Sequence, residues 1–458
     1  MPGRFVCLEK NARNGKVSGM KQKTDVLIVG TGASGLFCAL QLPETLQVCM
    51  ISKQDIENSD SYLAQGGIST LKDEGDYVSY YTDTMRAGHY ENDPLAVEMM
   101  IRSSQEIIEE LVSCGVEFEK DEHGLRYTRE GAHSTFRILH HEDETGKEIT
   151  SKLLKKVRGK SNVTMYANTC MLDIVCDEKG CHGVVVRCED GSINTIAAKA
   201  VVWATGGVGG LFHSSTNFAH LTGDAVALSL LHGIQLKDVS YIQIHPTTLY
   251  SKEKGRRFLI SESVRGEGAV LLNANGERFV DELLPRDVVS QAIQKQMKKD
   301  GKEYVWLSVK HLGAEKVKTR FPHIYQHCLE QGYDLTQESI PVTPAQHYFM
   351  GGVLVDLEGR TSMPQLFAIG EAACNGVHGK NRLASNSLLE SLVFAKRTAY
   401  SVQEGLEDIP WGAMPEDLSE YQQGEKLAEK YRALVLDEIK RRDANFYGQW
   451  CESEDQCG

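Results

Sequence analysis

The feature that most narrows the fold is a short apolar run, Asp25-Val26-Leu27-Ile28-Val29, that leads directly into Gly30-Thr31-Gly32-Ala33-Ser34-Gly35. An apolar run of this length reads as a strand buried on both faces, as in parallel sheets. The spacing Gly30-x-Gly32-x-x-Gly35 is a weak signal alone. Between such a strand and the helical stretch 36–42 it becomes a dinucleotide fingerprint. Gly30 permits a tight turn, Gly32 lets backbone approach a pyrophosphate, and Gly35 lets helix and strand pack closely. The helix N-terminus then turns N–H groups and a positive dipole toward phosphates. Residues 47–52 read as the second strand of a βαβ unit. The acid that usually ends this strand and binds a ribose is missing; Ser52 and Lys53 stand there. That disfavours a plain NAD dehydrogenase.

Two further elements point to a flavin. Ala204-Thr205-Gly206-Gly207 ends a second buried strand, and Gly370-Glu371 ends a third, placing an acid where open α/β sheets bind ligands. Each has a structural explanation of comparable weight. The three together, in this order, are hard to explain otherwise. Elsewhere a helix is expected over 96–114, with Gly115 as its C-cap. Residues 162–204 read as an antiparallel meander that ends in the buried strand 200–204. A helix is expected over 222–232. Residues 239–344 lose the βαβ rhythm. The expected fold is α/β: a discontinuous Rossmann-like FAD-binding domain over 22–238 and 345–404, an inserted α+β capping domain over 239–344, and a short helical region over 405–458. The residues before the first strand read as a disordered leader, and 452–458 as a disordered tail.

Charge and cysteine usage exclude other classes. A net charge of −13 argues against a nucleic-acid partner. It does not argue against anionic substrates, because a few buried cations can build an anion site in an acidic protein. No stretch approaches the roughly 20 apolar residues of a membrane helix, and the polar N-terminus is no secretory signal. The 12 cysteines include Cys170, Cys176, Cys181 and Cys188, whose wide, irregular spacings contain no CxxC. They read as free thiols in a reducing cytoplasm rather than as a metal site.

Ile51-Ser52-Lys53 followed by Ala64-Gln65-Gly66-Gly67 resembles the flavin-contacting loop of the succinate dehydrogenase/fumarate reductase flavoproteins. So does Gly376-Val377-His378-Gly379-Lys380-Asn381-Arg382-Leu383-Ala384-Ser385-Asn386-Ser387-Leu388-Leu389-Glu390, a long and specific motif. The likeness runs from about residue 25 to about residue 399. It carries FAD contacts onto Gly30, Thr31, Gly32, Ala33, Ser34 and Gly35, and onto Lys53, Asp60, Ser61, Tyr62, Leu63, Ala64, Gln65, Gly66 and Gly67. It also carries them onto Ala204, Thr205, Gly206, Asp224, Glu371, Ser387 and Leu388. In the membrane-complex members a histidine at the position of Asp60 holds the flavin covalently. Asp60 cannot form that bond, so FAD is expected to bind without covalent attachment. Arg129-Glu130-Gly131-Ala132-His133-Ser134 is similar to the motif of the family's L-aspartate-oxidising branch. Glu130 is then the candidate partner for a substrate ammonium group.

The resemblance further implies a substrate pocket of Glu130, His245, Ser261, Glu262, Arg286, His347 and Arg382. The chemistry suits this set, since two arginines can each fork a carboxylate of a C4 acid. Any one of them alone is more often a surface or satisfied-core residue. Many relatives have threonine where Ser261 stands, and a hydroxyl remains. The implied reaction is hydride transfer from the aspartate Cα to FAD, giving iminoaspartate, with Arg286 as the catalytic proton shuttle and Glu262 its neighbouring acid. Dioxygen or fumarate would reoxidise the flavin, and quinolinate synthase, in de novo NAD synthesis, would be the functional partner. The alternative is a soluble fumarate reductase with non-covalent FAD, against which Glu130 is the main argument. A non-catalytic flavoprotein would not need all four of His245, Arg286, His347 and Arg382.

Overall fold

The computed structural model describes residues 22–451, except 123 and 254. The expected leader, as far as residue 21, and the tail from 452 lie outside the described residues. The strand Lys23–Val29 sits in the middle of a sheet, parallel to Val48–Ile51 on one side and to Ile193–Trp203 on the other. Its alternating side chains feed two cores. Val26 and Ile28 point into one apolar cluster, with Val48 and Met50 of the next strand. Leu27 and Val29 point into the other, with Cys49 and Ile51. A strand covered on both faces must be apolar at every position, which is why the run is uninterrupted.

Residues 162–204 differ from the expected meander. Val163–Tyr166 pairs parallel with Val48–Ile51 and extends the main sheet. The helix Thr145–Arg158 precedes it and provides the crossover that a parallel neighbour requires. The antiparallel part begins only at Cys170–Asp177, which pairs with Gly180–Arg187. The buried strand is longer than expected, Ile193–Trp203, because its two ends serve different partners. Residues 193–197 pair with the hairpin, and 197–203 pair with Lys23–Val29. Leu366–Ala368 then lies parallel along Val201–Trp203, returning the chain to the first sheet.

The helix expected over 96–114 is two helices, Pro94–Arg102 and Ser104–Ser113, meeting at Ser103. It starts early because Asp93 accepts hydrogen bonds from the Leu95 and Ala96 amides at 2.9 and 3.0 Å and Pro94 fits the first turn. The helix after the second buried strand is Asp224–His232, closed by Gly233 in the left-handed region. A second, antiparallel sheet joins Ile242–Leu249, Ile340–Phe349, Val305–Ser308 and Val270–Leu272 around its own apolar core. Its strand Ile340–Phe349 spans residue 344 and carries His347 back toward the first sheet. In the C-terminal region Gly424–Arg442 and Ala444–Trp450 are helical. Tyr431, Val435 and Ile439 dock the longer helix into the core that holds Leu27 and Val29. No described helix is long and apolar enough to cross a membrane.

Candidate active site

A single cavity runs from the C-terminal edge of the parallel sheet to the face of the second sheet. At the sheet end its wall is backbone. Gly30 has φ +119°, and a Cβ there would lie 2.1 Å from the Ala204 carbonyl oxygen. At Gly35 a Cβ would lie 2.3 Å from the Gly30 carbonyl oxygen. These two glycines let strand, turn and helix close together. Gly32 is different: only Ser61 Oγ, at 3.3 Å, and Ser59 Cβ, at 3.8 Å, approach the same test atom. Gly32 caps the helix Ala33–Gln41 with no side-chain hydrogen bond and no acid in the first turn. The N–H end of that helix faces a cavity wall, the arrangement suited to a pyrophosphate.

At the end of the second strand, which lacks its usual acid, an acid from elsewhere in the chain stands beside Lys53 instead. Asp224, the first residue of its helix, reaches the end of that strand and takes an ion pair from Lys53 at 2.9 Å, with Thr222 donating at 2.7 Å. Two more carboxyls, Asp60 and Glu371, line the cavity. Burial pushes both above the ordinary carboxylate range, and the charge of Asp60 pushes Glu371 further. Glu371 accepts from the Phe349 amide at 2.9 Å and Asp60 from the Phe218 amide at 3.0 Å. Asp60 Oδ2, Ser59 Oγ, Gln65 Oε1 and Thr205 Oγ1 are buried in this wall without a protein partner. Orphaned polar atoms cost free energy unless a ligand meets them. A long polar ligand with phosphates, hydroxyls and ring nitrogens fits that donor set, as FAD would.

At the other end the wall is made of side chains from separate segments. Arg286, the first residue of the helix Arg286–Asp300, donates through Nε to Glu262 and through Nη1 to Gln243 Oε1 at 2.7 Å. Arg382 donates to the same Gln243 oxygen at 3.2 Å and to Ser387 Oγ, and stacks 4.3 Å from the Tyr348 ring centroid. Burial pulls the Arg382 guanidinium down to about 10, helped by the charge of Arg286. Burial would raise the Glu262 carboxyl, but Arg286 and Arg265 outweigh it and hold Glu262 below its usual value. The His245 and His347 rings meet edge to face at 5.0 Å. Burial and the neighbouring arginines hold both far below the ordinary imidazole range, so both are neutral. The Thr247 amide lies 3.2 Å from His245 Nδ1, and Thr216 Oγ1 lies 2.7 Å from His347 Nδ1. His245 Nε2 is buried and has no partner.

Glu130 is 3% exposed, not a solvated loop residue. Its two oxygens accept from Ser263 Oγ at 2.7 Å and Ser385 Oγ at 2.6 Å. The loop that carries it is pinned from below. His133 contacts the Ala384 carbonyl at 2.9 Å and Arg137 at 2.9 Å, and buried Arg137 pairs with Asp76 and Asp83, each at 2.8 Å. Ser261 caps the short helix Glu262–Gly266 through the Ser263 amide at 3.3 Å.

All seven residues expected in the substrate pocket line this cavity, as do Gly30, Lys53, Asp60, Thr205, Asp224, Glu371 and Leu388. Ala33, Gly35 and Tyr62 do not: Gly35 serves helix packing, and Ala33 spends its amide on Ser61 Oγ at 3.1 Å. Gln243 was not singled out by sequence reasoning. It bridges both arginines and also donates to Asn381 Oδ1 at 2.9 Å and to the Arg382 carbonyl at 2.8 Å. An uncharged amide carries no charge pattern to find it by. Arg256, Ser385, Thr216 and His220 also line the cavity unannounced.

A family model described as an FAD binding domain matches residues 25–388. The L-aspartate oxidase of Clostridium perfringens is 47% identical over 427 residues, covering 92% of this chain and 95% of the relative. That of Pseudomonas aeruginosa is 39% identical and covers 86% of this chain and 77% of the relative. Among solved structures, an E. coli quinol fumarate reductase chain superposes with a TM-score of 0.79 at 29% identity, covering 91% of this chain and 74% of that one. Adenylylsulfate reductase of Archaeoglobus fulgidus, at 18% identity and a TM-score of 0.66, shares the fold.

Proposed function

The chain belongs to the succinate dehydrogenase/fumarate reductase flavoprotein family, within its L-aspartate oxidase branch, and from that premise we propose how its residues oxidise L-aspartate. The reading rests on one observation. Two arginines, two neutral histidines and two carboxylates converge in a buried space continuous with the glycine cradle. FAD is the cofactor, and when bound it supplies the hydride acceptor. The Gly30–Gly35 turn would hold its pyrophosphate, and Asp224 and Glu371 its hydroxyls. Asp60 stands where covalent relatives carry histidine, so the cofactor is held by contacts alone.

Arg382 and Arg286 each spend only part of their guanidinium on Gln243, Glu262 and Ser387. Their remaining N–H groups clamp the two substrate carboxylates, in a space where unpaired charge would be costly. His245 Nδ1 lies 3.2 Å from the Thr247 amide and 3.1 Å from the Thr247 carbonyl; in the tautomer that accepts from the amide, the proton sits on the unpartnered Nε2. That nitrogen donates to a carboxylate oxygen, and neutral His347 adds a second contact. Glu130 reads the ammonium group. Its present partners, Ser263 and Ser385, are hydroxyls that can rotate away. The amine must shed a proton before its lone pair assists C–H cleavage. Arg286 Nε already donates to Glu262, and Glu262 is held anionic. Arg286 relays the proton by giving one to Glu262 as it takes one from the substrate side.

The 239–344 segment acts as the cap that closes the site, supported by its separate core and by its contribution of His245, Ser261, Glu262 and Arg286. Dioxygen or fumarate removes the electrons. Iminoaspartate passes to quinolinate synthase, and the setting is cytoplasmic, as the free, mostly buried thiols of the described cysteines suit. The test is product analysis of the purified holoenzyme with a panel of C4 acids. L-aspartate is expected to yield oxaloacetate and ammonia from hydrolysed iminoaspartate, and succinate is not. Equal oxidation of succinate would replace this reading with that of a dicarboxylate dehydrogenase.

A further inference from the structure

Away from the cavity, a cysteine, a histidine and an aspartate stand in line. Cys176 Sγ lies 3.6 Å from His232 Nδ1. His232 Nε2 lies 2.6 Å from Asp173 Oδ1, and Asp173 Oδ2 accepts from Tyr421 Oη at 2.9 Å. The aspartate fixes the tautomer: Nε2 carries the proton, and Nδ1 is free to accept one from the thiol. No residue of this relay lines the flavin and substrate cavity.

The thiol also has a neighbour. Cys176 and Cys181 face each other across the hairpin of Cys170–Asp177 and Gly180–Arg187. Directly opposed residues of an antiparallel pair project from the same face. The Cys181 amide donates to the Pro364 carbonyl at 2.9 Å and not to its partner strand. The two cysteines therefore occupy a non-hydrogen-bonded pair, next to a bulge between Cys181 and Gly183; in a regular ladder the Cα atoms of such a pair stand about 4.5 Å apart. That spacing lies within the range a disulfide spans, roughly 4.4–6.8 Å. Both thiols are free, Cys181 fully buried and Cys176 half-buried. Cys176 packs against the same apolar cluster that holds Cys181.

We propose that Cys176 and Cys181 form a peroxide-reactive dithiol in which His232, positioned by Asp173, takes the Cys176 proton and Cys181 resolves the product. The oxidant is hydrogen peroxide, the product of an oxidase that passes electrons to dioxygen. The Cys176 thiolate attacks one peroxide oxygen, the O–O bond breaks, and the departing hydroxide takes the proton from His232 to leave as water. Cys176 is now a sulfenic acid. Cys181 sulfur attacks Cys176 sulfur, the S–O bond breaks, and the second hydroxide leaves with the Cys181 proton. The sum is two thiols and one peroxide giving one disulfide and two waters. Burial, with the charges of Asp173 and Asp177, holds the Cys176 thiol above its ordinary value. A free thiolate is thus disfavoured, and the reaction depends on the histidine.

The experiment exposes purified holoenzyme to added hydrogen peroxide, blocks remaining thiols, and maps tryptic peptides without reduction. Lys179 lies between the two cysteines, so cleavage separates them and the disulfide appears as a linked peptide pair. The expected result is a Cys176–Cys181 link that thiol reductant removes. Cys181→Ser is expected to leave Cys176 as a dimedone-reactive sulfenic acid. His232→Ala is expected to slow thiol loss by about tenfold or more, while aspartate turnover of the reduced protein stays unchanged. Thiols that survive millimolar peroxide, a link through Cys170 instead, or an unchanged rate in His232→Ala would each overturn the proposal. Because the oxidant is added, the result does not depend on which substrate the cavity oxidises.

Discussion

The two ends of the cavity are built from different material. At the flavin end the ligand-facing surface is largely backbone, and its glycines leave no room for a side chain: a Cβ at Gly30 would lie 2.1 Å from the Ala204 oxygen. At the substrate end it is polar and charged side chains from six separated stretches, around Glu130, His245, Glu262, Arg286, His347 and Arg382. The ends also differ in charge state. Burial raises the acids Asp60 and Glu371 at one end and lowers the bases His245 and His347 at the other, so each end favours neutral groups until a ligand arrives. The arginines with Glu262 as counter-ion, and the Lys53–Asp224 ion pair, stay charged. A backbone surface tolerates almost no side-chain change, whereas a side-chain surface can lose one member and keep its fold.

The largest effect is therefore expected at Gly30. Gly30→Ala places a Cβ against the Ala204 carbonyl at positive φ, a clash of several kcal/mol. Expression should give little folded, flavin-containing protein; a yellow, stable variant would break the contrast. Arg286→Leu should instead fold and keep FAD, while turnover with aspartate falls by about 10³-fold. Co-purifying flavin and steady-state rates measure both halves. Glu130→Gln should lower aspartate oxidation by about ten- to a hundredfold and leave fumarate reduction less affected. Equal losses in the two activities would remove its ammonium role.

Gln243→Met sharpens the comparison at a residue without charge. It strips one acceptor from both arginines, so KM for C4 acids should rise by about tenfold, with the flavin spectrum unchanged. The smallest effect concerns pH. Glu371 has a folded-state pKa above its unfolded value, so the folded protein holds the extra proton. Stability of the FAD-free protein then falls as pH rises from the ordinary carboxylate range through the raised value. Glu371→Gln should remove that slope. Its melting temperature should exceed that of the parent by about 2–4 °C at pH 8, with little difference at pH 4.

Material also decides how much could be read from sequence. The cradle is contiguous, residues 30–35, and each glycine has a local reason, so strand, turn and helix were legible. The acid beside Lys53 was not: Asp224 is brought there only by folding, and family resemblance alone named it. Resemblance likewise named Arg286 and Arg382, which spacing could not select. Gln243 escaped both routes, because an amide gains its role only when two arginines point at it. Val163–Tyr166 reads as part of the meander because short β-like runs between turns look alike whether their partner is parallel or antiparallel. The difference lies in the preceding helix, which is long enough for a crossover.

The measurement that bears most directly on the central claim is an anaerobic titration of the visible absorbance band of the flavin, whose chemistry is the cofactor's while the protein supplies orientation and charge. Addition of L-aspartate in the absence of air should bleach the flavin band, and admitting oxygen should restore it. Succinate at the same concentration should leave the band unchanged. Protein that purifies without flavin, or a flavin band that keeps its colour with L-aspartate, would contradict the account.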